Sequence, residues 1–306
     1  MNIVFMGTPD FATVSLERLM QDGRHTVNAV YTQPDKPVGR KRVLTPPDVK
    51  VCAEKYNLPV YQPNTLKDEE VISQIKSFEP DVIVVIAYGK ILPKGVLEIP
   101  KYGCINIHGS LLPKYRGAAP IQRSVIDGEK ETGVTSMFMD VGLDTGDIIM
   151  SKSVEILPDE TSGELFDWLA VLGADVLLET LEQLEKGTAV RTKQDESLST
   201  YAAMLSKDEC LIDWNLPAET VHNKVRGMNP WPIAVTTWGG KKLKIYKTKL
   251  CGESGVPSTV ISTNPPTVAC GSGSVEISEV QLEGKNRMSA VDFFRGQRIQ
   301  KGDKLI

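Results

Sequence analysis

In the first half of the chain, short apolar runs alternate with segments whose apolar residues recur at helical spacing. The apolar runs at 2–6, 26–32, 81–88, 104–108 and 134–139 are predicted strands, and the segments at 12–21, 48–56 and 68–78 are predicted helices. The run at 81–88 is apolar almost throughout, which is typical of a strand buried on both faces of a parallel sheet. Strands that alternate with helices predict a doubly wound α/β domain with a parallel-type sheet.

The pattern changes after one long predicted helix. Thr161-Ser162-Gly163-Glu164 has the form of a capping box, and the helix that it opens is predicted to run to about residue 185 and to end at Gly187. The polar stretch after it is a predicted linker. Farther on come a short predicted helix and several short β-type runs separated by Gly, Pro and Ser, which predict a smaller all-β barrel or sandwich. The helix is at 218–227 and the runs are at 234–238, 242–250, 258–262, 267–269 and 274–280.

The chain is therefore predicted to have two domains. They are an α/β domain at 1–187 and a C-terminal domain at 205–306, joined by a linker at 188–204. With 306 residues, 41% hydrophobic and 24% charged, the composition is that of a globular protein with a substantial core.

Several features bear on the compartment. No apolar run approaches the ~20 residues that a membrane helix needs. The first residues have neither the basic leader nor the apolar region of a signal peptide. The five cysteines are scattered without a C-x-x-C, so they are predicted to be free thiols. Together these features predict a cytoplasmic protein.

Charge is distributed unevenly along the chain. Residues 205–306 contain 14 Lys and Arg against 10 Asp and Glu, whereas the remaining residues contain 21 against 29. This asymmetry predicts either an anionic partner for the second half or an ordinary solvated basic face, and the count alone does not decide between them.

The candidate chemistry lies at Asn106, His108 and Asp144. Residues two apart on a strand point to the same face, and open α/β sheets bind ligands at the carboxyl ends of their strands. Asp144 follows in a loop flanked by Gly142 and Gly146. An amide N–H and a protonated imidazole can stabilise an oxygen that gains negative charge, and a carboxylate can orient the imidazole. The alternative is structural, with His108 bonded to a backbone carbonyl and Asp144 capping a turn.

The chain lacks the signals of some other chemistries. No Ser or Cys stands in a nucleophile-elbow context, so the trio predicts direct attack of an external nucleophile on a carbonyl, through a tetrahedral intermediate. Gly7-Thr8-Pro9 lacks the further glycines and the lysine of a dinucleotide or phosphate loop and is predicted to be a tight turn. His25 and His222 stand alone and are predicted to be surface or packing residues, and no pair has metal-ligand spacing.

The segment at 106–122, NIHGSLLPKYRGAAPIQ, resembles the signature of the methionyl-tRNA formyltransferase family, and the segment at 142–147 resembles its second block. The opening at 7–11, the loop at 33–40 and the segment at 229–232 extend the resemblance over the whole chain. Asn-x-His with a downstream Asp is shared by all transferases that use 10-formyltetrahydrofolate. The segment at 118–122 and the C-terminal half single out the tRNA enzymes.

The resemblance implies transfer of a formyl group from 10-formyltetrahydrofolate to the amino group of methionine on initiator tRNA. It implies that Asn106 and His108 polarise the formyl oxygen and that Asp144 supports His108 and assists proton movement. The folate is expected to border one segment, and its pterin is expected to contact the backbone of two others. The segment that borders the folate is Ser110, Leu111, Leu112 and Pro113; the pterin segments are Ile86, Ala87 and Tyr88, and Asp140, Val141, Gly142 and Leu143.

The resemblance also implies two RNA contacts. The basic loop at 34–45 would reach the acceptor end of the tRNA, with Arg40 at the family's Gly-Arg and Lys36, Lys41 and Arg42 beside it. The second domain resembles an oligonucleotide-binding barrel, whose lysines would grip the RNA backbone. The expected contacts there are Lys242 and Lys244, and further candidates are Lys241, Lys247, Lys249, Arg295 and Arg298. The alternation of side chains leaves open whether Lys242, Lys244 and Lys247 share a face, and the lysines could instead only keep an edge strand soluble.

Two other functions compete with this one. Formyl transfer to an amino sugar or a purine precursor uses the same chemistry, but those relatives have a different second domain or none, and the basic second half argues against them. A non-catalytic RNA-binding protein on an α/β scaffold would bind no folate, and His108→Ala would leave its function intact. The sequence gives no sign of an assembly larger than a monomer.

Overall fold

The computed structural model describes residues 1–39 and 41–306 and divides them into two compact units. Unit 1 comprises 1–117, 133–154 and 166–201, and unit 2 comprises 118–132, 155–165 and 202–306. This division follows contacts and differs from the predicted linear bounds at 1–187 and 205–306, because two short segments of the first half pack with the C-terminal part. The linear bounds stay a prediction.

Among the described residues up to 186, the structure has ten strands and six helices. The strands are β1 (Asn2–Gly7), β2 (Thr26–Tyr31), β3 (Lys36–Val38), β4 (Val43–Thr45), β5 (Val60–Tyr61), β6 (Val82–Ile86), β7 (Cys104–His108), β8 (Arg116–Gly117), β9 (Glu131–Phe138) and β10 (Ile148–Glu155). The helices are α1 (Asp10–Asp22), α2 (Asp48–Lys55), α3 (Glu69–Ser77), α4 (Lys94–Leu97), α5 (Pro120–Ile126) and α6 (Ser162–Lys186).

The main sheet has seven strands in the order β10-β9-β7-β6-β1-β2-β5. Strands β5, β2, β1, β6 and β7 run parallel to one another, and β6 is buried along its whole length. The predicted α/β fold is confirmed. Two features of it were not predicted: β9 runs antiparallel to β7, and β10 adds an edge. In β10 most of the residues alternate between exposed and half-buried, so the strand lacks the continuous apolar run that marks the central strands.

The predicted ends of two helices are confirmed by their hydrogen bonds. Gly23, with φ 67°, ends α1 and donates its N–H to Leu19 O at 3.3 Å. The capping box at the start of α6 is reciprocal: Thr161 N–H donates to Glu164 Oε2 at 2.9 Å, and Glu164 N–H donates to Thr161 Oγ1 at 3.2 Å. The segment at 7–9 is the predicted strand-to-helix turn, since β1 ends at Gly7 and α1 begins at Asp10.

Unit 2 contains the C-terminal antiparallel sheet. Its elements are β12 (Ala234–Trp238), β13 (Lys241–Cys251), β14 (Val260–Thr263), β15 (Pro266–Ala269), β16 (Ser274–Leu282) and β17 (Met288–Ser289), with α7 (Ala218–Gly227) and α8 (Ala290–Gln297). Strand β11 (Tyr201–Ala202) and two 3-10 helices, Glu196–Leu198 and Lys207–Cys210, precede them. The strand order is β12-β13-β16-β15-β14, with β17 paired to β16.

The last residues of the chain join the two edges of this sheet. Ile306 exchanges both backbone hydrogen bonds with Thr237 of β12. Leu305 N–H donates to Ser258 O, and Val260 N–H of β14 donates to Asp303 O. The strands therefore close into the predicted small barrel, around a core that includes Leu243, Ile245 and Val268. Helix α8 was not predicted; its buried Phe293 and Phe294 pack on this core.

Three further findings concern the described residues. All five cysteines are free, as predicted, and four of them are buried. Within these residues, no helix is long and apolar enough to cross a membrane. Nor does the structure, over the same residues, bring together three or more His, Cys, Asp or Glu side chains that could hold a metal ion.

Candidate active site

The candidate site lies at the carboxyl edge of the parallel strands in unit 1. The chain leaves β1 for β2 and β5 on one side and returns to β6 and β7 on the other, so β1 and β6 flank the point where the strand order reverses. Thr8, just after β1, donates its hydroxyl to Tyr88 O, just after β6, at 2.9 Å. Ligands of open α/β sheets bind in the crevice outside such a point.

Strand β7 places Asn106 and His108 beside Asp144. Asn106 Nδ2 donates to Asp144 Oδ1 at 3.4 Å, and His108 Nδ1 lies 3.8 Å from Asp144 Oδ2. Asn106 and His108 are 9% and 6% exposed, so both donors are largely withdrawn from water. The three residues named from the sequence therefore meet in one cluster, as their spacing on the strand and in the later loop predicts.

The second ring nitrogen of His108 has a fixed partner. His108 Nε2 lies 2.8 Å from Tyr115 O, and because a carbonyl oxygen only accepts, Nε2 carries the hydrogen. The structural role predicted as an alternative for His108, a hydrogen bond to a backbone carbonyl, is thus met by Nε2, while Nδ1 faces Asp144. Asp144 Oδ2 also accepts the Gly117 N–H at 2.8 Å, which fixes the carboxylate opposite the ring.

The loop at 140–147 presents Asp144 in an unusual backbone conformation. Asp144 has φ 53°, a left-handed value that few residues other than glycine adopt. Gly146 lets the loop pass close to β9, since a Cβ there would lie 1.8 Å from Phe138 O. Asp140 closes the turn by accepting the Gly142 N–H at 2.8 Å and the Thr145 hydroxyl at 2.7 Å. Local contacts therefore shape the loop that positions the carboxylate.

Gln194 also contacts this loop, although the sequence predicts no role for it at the site. Gln194 Nε2 donates to Asp144 O and to Gly146 O, each at 2.8 Å. Arg116 donates to Gln194 Oε1 and to both carboxylate oxygens of Glu196. The hydrogen bonds with Glu196 raise the pKa of the Arg116 guanidinium and lower the pKa of the Glu196 carboxyl. Gln194 lies within the stretch predicted as a linker, and its polar surroundings in sequence carry no signal of this contact.

The segments predicted to contact folate differ in exposure. Ser110 and Leu112 are buried, and Thr135 holds their backbone by donating to Ser110 O and accepting the Leu112 N–H. Ile86 and Tyr88 are also buried, and burial raises the pKa of Tyr88 to about 12. Ala87 between them is exposed, with φ 45°, and Val141 and Leu143 are exposed apolar residues. The exposed positions after β6 and in the loop at 140–147 are thus more open to a ligand than Ser110 and Leu112.

The basic residues named for RNA lie on exposed surfaces. In β13, Lys242 and Lys244 alternate with buried Leu243 and Ile245 and so share one face. The register shifts on both sides of Lys247, which brings Lys247 and Lys249 out as exposed residues around buried Thr248. The bulge therefore places Lys247 on the exposed side of the strand together with Lys242 and Lys244, which simple alternation leaves open.

The other basic candidates are more dispersed. Lys36 lies in β3, and Lys41 and Arg42 lie in the turn between β3 and β4; all three are exposed. Arg40 lies outside the described residues. Arg295 forms an ion pair with Asp292 on α8, and Arg298 caps the end of that helix with φ 57°.

Comparison with known proteins gives matches over both halves of the chain. The family model described as "Formyl transferase" matches residues 1–181, and the model described as "Formyl transferase, C-terminal domain" matches residues 204–298. The chain is 51% identical over 307 aligned residues to the methionyl-tRNA formyltransferase of Geobacter metallireducens, covering 100% of the chain and 98% of that relative. It is 48% identical to the enzyme of the same name from Acetivibrio thermocellus, covering 100% and 99%.

Solved structures share the fold at low sequence identity. An N-formyltransferase from Helicobacter canadensis, solved with folinic acid and dTDP-3-aminofucose, superposes with a TM-score of 0.65 at 18% identity, covering 94% of this chain and 99% of that one. A phosphoribosylglycinamide formyltransferase from Bacillus halodurans superposes with a TM-score of 0.51 at 23% identity, covering 60% of this chain and 95% of that one.

Proposed function

The chain belongs to the formyl transferase family, and we propose that it transfers the formyl group of 10-formyltetrahydrofolate to the amino group of methionine on initiator tRNA. The observation that carries this proposal is the convergence of Asn106 and His108 on Asp144 at the carboxyl edge of the sheet. Identity of about half over the full length to enzymes that are named for this reaction supports the acceptor. Initiation of translation would place the reaction in the cytoplasm, and a single chain suffices for it.

The chemistry follows from the donors in the cluster. The methionyl amine attacks the formyl carbon, and the formyl oxygen becomes the oxyanion of a tetrahedral intermediate. Asn106 Nδ2–H and a protonated His108 Nδ1 supply hydrogen bonds to that oxygen. Their distances to Asp144, 3.4 and 3.8 Å, are longer than ordinary hydrogen bonds. Each group can therefore donate to a substrate oxygen with little loss of hydrogen bonding to Asp144.

Proton movement completes the transfer. The attacking amine must lose a proton, and N10 of the folate must gain one as the carbon–nitrogen bond to the donor breaks. Asp144 is the carboxylate beside Asn106 and His108, and in this proposal it keeps His108 oriented and relays the proton. The products are N-formylmethionyl-tRNA and tetrahydrofolate, and no covalent enzyme intermediate is required.

Binding is assigned to separate surfaces. In this proposal the folate lies against Ser110–Pro113, with its pterin near the backbone at 86–88 and 140–143. The tRNA backbone meets Lys242 and Lys244 on β13. In this proposal the basic residues of the loop at 34–45 contact the acceptor end of the tRNA. The closed barrel with its exposed lysines favours an RNA acceptor over an amino sugar or a purine precursor.

The decisive experiment is a formylation assay with purified protein, 10-formyltetrahydrofolate and charged tRNA. We expect formylmethionyl-tRNA from initiator Met-tRNA and much less product from elongator Met-tRNA. An amino sugar nucleotide and glycinamide ribonucleotide serve as competing acceptors. Absence of formylated Met-tRNA, with folded protein and an active donor, would refute the proposal, and formylation of a competing acceptor alone would replace it.

A further inference from the structure

The side-chain amide of Gln194 is bonded at both of its polar atoms. Nε2 donates to Asp144 O and Gly146 O at 2.8 Å each, while Oε1 accepts from Arg116 Nε at 3.0 Å and from Arg116 Nη2 at 2.8 Å. Carbonyl oxygens only accept and a guanidinium only donates, so the partners dictate which way the amide points. Gln194 therefore ties Arg116 to the loop at 140–147.

Arg116 is itself held on its other side. Its side chain is 10% exposed, and Nη1 and Nη2 donate to the two carboxylate oxygens of Glu196 at 2.9 and 2.8 Å. This fork leaves Nε and the remaining Nη2 hydrogen directed at Gln194. The next residue along the chain, Gly117, donates its N–H to Asp144 Oδ2 at 2.8 Å. One short segment thus contacts the carboxylate of Asp144 directly and its carbonyl through Gln194.

The backbone of Asp144 needs such support. A residue other than glycine at φ 53° is in a strained conformation that persists where its surroundings hold it. The bond from Gln194 falls on the Asp144 carbonyl itself and on Gly146 two residues later. If the peptide rotated, the carboxylate would move away from Asn106 and His108.

We propose that Gln194 is a positioning residue for catalysis, which holds Asp144 in the conformation that presents its carboxylate to His108, and that Arg116 orients the Gln194 amide. This inference rests on the proposed function, because the step that it supports is formyl transfer. Gln194 touches no reacting atom in this account. Its effect reaches the chemistry through the backbone of the loop.

The test variant is Gln194→Glu, which keeps the size of the side chain and its contact with Arg116 but sets a carboxylate oxygen against two carbonyl oxygens. We expect kcat to fall by about 100-fold, the scale of a misplacement near 1 Å, while KM for the tRNA and for the folate stays within about twofold. Gln21→Glu, at an exposed position of α1, makes the same chemical change as a matched control and should leave kcat unchanged. Gln194→Met, which removes the hydrogen bonds to Asp144, Gly146 and Arg116 without adding charge, should also lower kcat.

A readout independent of activity comes from the histidine rings. The chain has three histidines, so the ring ¹⁵N signals can be assigned by single substitutions. We expect Gln194→Glu to shift the His108 signals, because Nδ1 faces Asp144, and to leave those of His222 in unit 2 in place. Unshifted His108 signals, or kcat within threefold of wild type in both Gln194 variants, would overturn the inference. A wild-type protein that forms no formylmethionyl-tRNA would instead refute the proposed function, and the ring signals would still decide the role of Gln194.

Discussion

At the scale of single residues, the site depends on how one carboxylate divides its contacts. Asp144 Oδ2 accepts the Gly117 N–H at 2.8 Å, whereas Asn106 and His108 approach the carboxylate at 3.4 and 3.8 Å. The short contact fixes the carboxylate in place, and the two long contacts leave Asn106 Nδ2 and His108 Nδ1 only weakly engaged with it. An amide donor and an imidazole donor held around one fixed anion are suited to an oxyanion that exists only during the reaction.

Asp144→Asn tests this division of roles. The amide keeps the size of the side chain but has one acceptor oxygen, so it cannot face Gly117, Asn106 and His108 with oxygen at once. We expect the single-turnover rate of formylation to fall by at least about 100-fold while the dissociation constant for tRNA stays within about twofold. Asp175→Asn, which removes a carboxylate from an exposed ion pair with Arg18, is the control. An unchanged rate would exclude Asp144 from the mechanism.

At the scale of elements, the features that the sequence predicts correctly are those that contacts between residues close in sequence determine. The capping box at 161–164, the helix end at Gly23 and the strand that presents Asn106 and His108 depend on neighbours in sequence, and the structure has all three. Strand β10 and helix α8 were missed because one lacks a continuous apolar run and the other is short. Gln194 could not have been found, since its partners Asp144 and Gly146 lie about 50 residues away in sequence.

Glu164→Gln probes the cap of α6 through its pH dependence. The backbone N–H and the hydroxyl of Thr161 donate to the Glu164 carboxylate, which lowers its pKa below that of an ordinary glutamate. A lowered pKa stabilises the folded state above the unfolded pKa, and this contribution is lost as pH falls through the folded pKa. Because the side chain is 54% exposed, we expect a loss of only a few tenths of a kcal/mol at pH 7.

The measurement for this cap is the urea unfolding midpoint at neutral and at acid pH. The difference between Glu164→Gln and wild type should shrink as the pH falls below about 4. Glu253→Gln, at an exposed position of unit 2, provides the control with the same loss of charge. A difference that is equal at both pH values would show that the carboxylate charge does not contribute to the cap.

Strand β13 gives a second prediction at this scale. Lys242 and Lys244 share an exposed face, whereas Lys247 lies 3.8 Å from Glu164 and Lys249 is paired across the sheet with Glu276. Opposite Lys244 lies Gln281 rather than an acidic residue, and Lys242 extends the same exposed face beside it. Replacing both with Ala should weaken tRNA binding and reduce the slope of log K against log salt by about 1 per lysine. Replacing the exposed Lys67 and Lys76 of unit 1 makes the same charge change, and an equal effect in both pairs would refute a specific role for β13.

At the scale of the whole molecule, the two compact units divide the proposed work. The Asn106, His108 and Asp144 cluster lies in unit 1, and the lysine face of β13 lies in unit 2. The basic excess belongs to residues 205–306, with 14 basic against 10 acidic residues, and not to unit 2 as a whole, because the segments at 118–132 and 155–165 add 2 basic and 7 acidic residues. One unit is thus assigned the chemical step and the other the attraction of a polyanion, which depends on ionic strength.

This division predicts that changes in the two units have independent effects. Residues in separate units that act on separate steps should contribute additively to the free energy of the transition state, within about 0.5 kcal/mol. The loss of kcat/KM in the combined variant Asp144→Asn with Lys242→Ala and Lys244→Ala should therefore equal the product of the two separate losses. Single-turnover rates with excess enzyme measure all four proteins on one scale. A combined loss well below that product would mean that the lysines of β13 also place the acceptor for the chemical step, because a misplaced acceptor gains little from an intact carboxylate.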